Sequence, residues 1–207
     1  MDRTFLPEEW TGRTLSRRAA SLPYDRQIAI VSAWLERAVD LLPVGALEGA
    51  QTASLEVVSH LWDVAGGHKV DDVLIDQWTT MLELELERER VPEGFVAGAL
   101  FGSLELALKR VAPENALLHI LSALRSAIMY SVPYHPPLER TSSGHIFTRV
   151  ARDEYALTIP WARAEFAFHA GVVEAVADAW FGQQRIGRDE ITIACGASRP
   201  ERDGGSL

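Results

Sequence analysis

Two glutamate–histidine pairs, each four residues apart, are the side chains best spaced for chemistry: Glu165 with His169, and Glu56 with His60. On a helix, residues four apart lie side by side, so each carboxylate can reach its imidazole. Such a pair can supply two ligands to a metal ion, or a general base and the carboxylate that orients it. Helical phase separates the two pairs. With an advance of about 100° per residue, Arg163, Glu174 and Asp178 form a polar stripe, while Glu165 and His169 fall opposite, among Trp161, Val172, Val176 and Ala179. An unpaired buried charge is costly. Both are therefore predicted to be buried and hydrogen-bonded, to each other or to one shared partner. The bland reading is a packing role, either as a self-satisfied pair or by binding an arginine of a neighbouring helix. Glu56 and His60 share the polar side of their helix with Gln51, Ser59 and Asp63, which predicts a solvated pair. Their spacing differs from the Glu-x-x-His of di-iron bundles. The candidate buried polar site is thus Glu165 and His169, with no metal or cofactor assigned.

No other grouping adds chemistry. His119 shares a polar helix face with Ser122 and Ser126, His68 follows two glycines, and His135 is flanked by tyrosine and proline. Ser142, Ser143, His145 and Asp153 are residue types found in hydrolases, but Gly-x-Ser-x-Gly is absent. Phosphate-binding loops, dinucleotide fingerprints, paired-cysteine zinc motifs and calcium loops are absent too. No catalytic residue is assigned.

Charge is the other strong signal. Between Asp71 and Glu93 stand eight acids and two bases, a local −6 in a chain whose total is −9. That balance disfavours nucleic acid and anionic membrane as partners and favours a basic protein. Asp76, Glu83 and Glu87 are the expected contacts, with Trp78 or Leu84 as an apolar anchor. The plain alternative is a solvated helix face.

The elements that must carry these residues are helices. Apolar residues recur at helical spacing over residues 24–42, 46–65, 71–90, 93–111, 113–132 and 158–181, and a short N-terminal helix is expected to cross the bundle. Leu82–Glu87 alternates like a strand. Leu, Glu, Met and Arg are nevertheless strong helix formers, and Asp71 and Asp72 suit a helix N-terminus. Pro113 fits a first helical position, and Gly66-Gly67 a helix end. Residues 191–195 read as one short strand, 132–157 as a long connection with a possible binding role through Tyr134, His135, Arg140 and Arg149, and 196–207 as a frayed tail. The prediction is an all-α bundle of about six main helices in a single domain over 1–195. Gly94, Gly98 and Gly102 recur every four residues, a stripe that permits close backbone approach, either within the chain or across a homodimer seam.

The apolar share of 47% is that of a folded globular chain, and no run approaches the roughly 18 apolar residues of a membrane span. The lone Cys195 and the lack of a signal-like start fit a cytoplasmic location. Lys69 and Lys109 are the only lysines, the bias of a GC-rich bacterial gene. In its acidic 71–93 run and overall make-up, the chain resembles the helical immunity proteins of bacterial toxin systems. That resemblance implies a non-enzymatic inhibitor that places carboxylates against a basic, often nuclease, partner. The segment from Leu22-Pro23 to Glu36-Arg37 is also similar to the opening helix of uncharacterised bacterial helical families. The alternative is a helical-bundle enzyme or ligand-binding protein built around Glu165 and His169.

Overall fold

The helical periodicities become nine α-helices among the described residues. The computed structural model describes residues 11–41, 50–87, 93–135, 139–140, 143, 146–147, 151–182 and 187–195. In chain order the helices are α1 (Gly12–Ala20), α2 (Tyr24–Leu41), α3 (Ala50–Ala65), α4 (Asp72–Leu86), α5 (Glu93–Ala107), α6 (Pro113–Ser131), α7 (Arg152–Ala156), α8 (Pro160–Phe181) and α9 (Arg188–Ala194). A two-residue antiparallel ladder, β1 (Glu139–Arg140) with β2 (Ile146–Phe147), pairs Glu139 with Phe147. The fold is all-α, as the sequence indicates, with three short helices beside the six long ones.

Local chemistry sets several helix ends. The Asp71 carboxylate accepts the amide protons of Val73 and Leu74, capping α4, so the alternating Leu82–Glu87 segment continues a helix already started. Gly67 closes α3 in the left-handed region at φ 96°, its N–H donating to the Val64 carbonyl. Pro113 and Pro160 open α6 and α8, where the missing N–H would have had no partner.

Two helices hold the interior. Helix α5 is buried on every side from Val96 to Leu100 and again through Leu104, Leu106 and Ala107, which fits a sequence with no polar stripe. It packs against α6, α4, α2 and α3. Helix α2 brings Ile28, Ile30, Val31, Trp34 and Leu35 to the same core and touches α3, α5, α8 and α9. Two glycines of the stripe lie inside the chain: Gly98 and Gly102 are buried, and a methyl group on Gly102 would stand 3.0 Å from His119 and 3.1 Å from Ile120 of α6. Gly94, at the start of the stripe, faces open space.

One expectation fails outright and one segment holds more structure than its sequence suggests. Residues 191–194 belong to α9, not to a strand. Glu190 accepts the Gly187 amide proton, the Ile191 amide returns to the Gly187 carbonyl, and Ile191 alone is buried, so one apolar contact suffices where a strand would need a sheet edge. The 132–157 connection contains α7 and both strands, and Arg152 of α7 donates to the Met129 carbonyl near the end of α6. The expected tail, 196–207, and Arg149 lie outside the described residues, as do the side chain of Arg140 and the residues Ser142 and His145.

Candidate functional site

Helix α8 buries Glu165 and His169, each at 3% exposure, so the helical phase inferred for it holds. Glu165 follows the packing reading, an arginine of a neighbouring helix, and His169 does not share that partner. Glu165 does not bond His169; it receives two hydrogen bonds from Arg37 of α2, Nε to Oε2 and Nη2 to Oε1, both 2.7 Å. This fork fixes position and angle together and leaves the charge pair nearly dry. The guanidinium also lies 4.5 Å from the Phe168 ring centroid. The pair ties α2 to α8.

His169 is held by packing instead. Its ring meets Trp34 edge-on at 5.8 Å between centroids, and the Trp34 indole N–H donates to the His169 backbone carbonyl at 3.1 Å. The imidazole Nδ1 is buried with no hydrogen-bond partner among the described residues. Burial pushes the His169 pKa well below its usual value near 6.5, and the Arg125 and Arg37 cations push it further the same way. The imidazole is therefore neutral at physiological pH. Arg125, itself buried beside the Phe166 ring, has its pKa brought down to about 10 by desolvation.

Space limits what this centre can do. Trp34, Arg37, Trp161, Glu165 and His169 enclose a void of about 10 Å³, roughly the room of a single water. Both Glu165 oxygens accept a hydrogen bond from Arg37, so the guanidinium holds the carboxylate in place. Among the described residues no group of three or more His, Cys, Asp or Glu could hold a metal ion.

Arg37 and Arg125 complete the centre without standing out in the sequence, although helical phase carries the signal. Arg37 lies seven residues after Ile30 and three after Trp34, on the buried stripe of α2. Arg125 follows Leu121 by four on α6. An arginine on an apolar stripe opposite a buried glutamate is the pattern to look for.

The acidic stretch is arranged differently. Helix α4 lies against α5 and, with less contact, α3, burying Ile75, Trp78 and Leu82. Its other side exposes Asp72, Asp76, Glu83 and Glu87 together with Val73 and Leu84. Trp78 is corrected here: at 5% exposure it belongs to the core, its indole donating to Glu56 and its ring 5.5 Å from that of His60. A large aromatic three residues after Ile75 completes the buried stripe, so it is not free to act as an anchor. His60 in turn accepts the Asp71 amide proton, so the Glu56 and His60 pair brackets Trp78 and the α3–α4 junction. Asp76 has a distant partner, Arg110 at 3.9 Å, which prefers Glu105 at 3.2 Å.

Comparison with protein-family models, with curated proteins and with solved structures finds no match to this chain. No helix among the described residues is long and apolar enough to cross a membrane.

Proposed function

We propose that the protein is a non-enzymatic binding module that docks a basic protein through the outer side of α4, in the manner of an immunity or inhibitor protein. The observation that carries this reading is the pairing, on one peripheral helix, of exposed carboxylates (Asp76, Glu83, Glu87) with exposed apolar side chains (Val73, Leu84). Carboxylates in water steer a cationic partner and set register, while the apolar residues supply area that only contact would bury. The void of about 10 Å³ beside the Arg37–Glu165 fork is too small for a substrate, which favours the binding reading over an enzyme centred there.

The test begins with a partner taken from the gene neighbourhood or by affinity capture, then compares association kinetics of the wild type and the Asp76→Asn, Glu83→Gln, Glu87→Gln triple variant. At low salt the variant should associate about tenfold more slowly, and added salt should bring the wild type toward the variant's rate. A partner that binds both forms with the same low-salt kinetics overturns the reading.

A further inference from the structure

A cleft of about 660 Å³ opens where the start of α2, the end of α3 and the start of α9 meet. Its volume falls in the range of roughly 300–1,000 Å³ typical of small-molecule sites. Trp62, Ala29 and Ala65 give it an apolar floor, and Asp25, Asp63 and Glu190 stand around it with Arg26 and Arg188. The Trp62 ring is fixed in place, because its indole N–H donates to Oε2 of Glu36 at 3.0 Å.

The sign of a ligand follows from which charges are already matched. Arg188 places Nε and Nη2 on Oε1 of Glu36, and Arg26 lies 3.7 Å from Asp25 with its side chain largely buried. Asp25 sits in the first turn of α2 and Glu190 in that of α9, where each offsets the positive end of its helix. Asp63 differs. Its carboxylate makes no ion pair or hydrogen bond among the described residues, only its backbone carbonyl being used. It also lies in the last turn of α3, whose dipole adds negative potential. The half-buried Trp62, its ring fixed, lines the same cleft as this unmatched carboxylate, a combination that attracts organic cations.

We propose that this cleft binds a small alkyl cation, its guanidinium or ammonium head beside Asp63 and its stem across Trp62. The proposal is independent of the α4 reading. Agmatine, which carries both head groups on a four-carbon stem, is the probe: it is titrated into the full chain at low salt and followed by calorimetry. Saturable one-to-one binding is expected at roughly millimolar affinity or tighter. Asp63→Asn should weaken it about tenfold, and the substitution breaks no hydrogen bond of the carboxylate among the described residues. Trp62→Phe should weaken it as well, with a melting curve confirming that the variant is folded. Glu83→Gln on α4 should leave it unchanged. Absence of saturation, equal binding by the Asp63→Asn variant, or equal weakening by Glu83→Gln, which would mean diffuse attraction to an acidic chain, overturns the proposal.

Discussion

Glu165 and Glu83 are the same side chain in opposite surroundings. Glu165 is taken out of water and held by Nε and Nη2 of Arg37, while Glu83 stands in solvent on α4. A dry carboxylate in a tight fork is bound to one partner and cannot exchange it, so its contribution is to angle and register between helices. A hydrated carboxylate contributes little to the fold but projects a field that a second molecule can sense. The buried pair ties α2 to α8, whereas the α4 carboxylate meets water.

The largest expected effect breaks the buried side of this contrast. Arg37→Met leaves the Glu165 carboxylate without its cation, and Glu165→Leu leaves the guanidinium alone. Each should cost about 3–5 kcal/mol in denaturant unfolding, because one uncompensated charge stays in the interior. The double variant, with both positions apolar, should regain most of that loss. Two single losses that simply add would show the pair to be uncoupled and the fork to be of little consequence.

The neighbouring histidine gives a smaller, pH-dependent effect. With its pKa depressed in the folded state, His169 stays neutral when the unfolded chain has already taken up a proton. Below its usual value near 6.5 the unfolded state therefore binds more protons, and stability falls as pH falls. The slope should reach at most about 1.4 kcal/mol per pH unit from this one group. Replacing His169 with Leu should flatten the unfolding free energy between neutral and mildly acidic pH. A variant with the wild-type slope would assign the acid sensitivity to other groups.

Much of this contrast is legible in the amino-acid sequence alone. Periodicity places Glu165 and His169 inward and the acids within 72–86 on a helix, because both inferences use only phase along one element. Partners are not legible in the same way: that Glu165 meets Arg37, 128 residues away, depends on how α2 crosses α8, which no local pattern encodes. Trp78, an aromatic amid acids, looks like an anchor, whereas its spacing from Ile75 and Leu82 assigns it to the core. Residues 191–195 mislead as any short apolar run does: Ile191, Ile193 and Cys195 alternate, yet a short helix burying Ile191 satisfies its own backbone.

The smallest expected effect tests the exposed side. Neutralising Asp76, Glu83 and Glu87 together should shift unfolding free energy by no more than about 0.5 kcal/mol, since none of the three is buried and, among the described residues, only Asp76 has a cation within ion-pair distance, at a separation that water screens. Any shift should be toward stability at low salt, because these acids repel one another along the helix, and it should shrink as salt is added. A small stability change beside an intact melting transition is what makes the triple variant a clean probe of docking: lost association can then be read as lost steering. Should the triple instead cost as much as breaking the Arg37–Glu165 fork, the α4 carboxylates would be structural after all. The division between charge that builds and charge that recognises would then not describe this molecule.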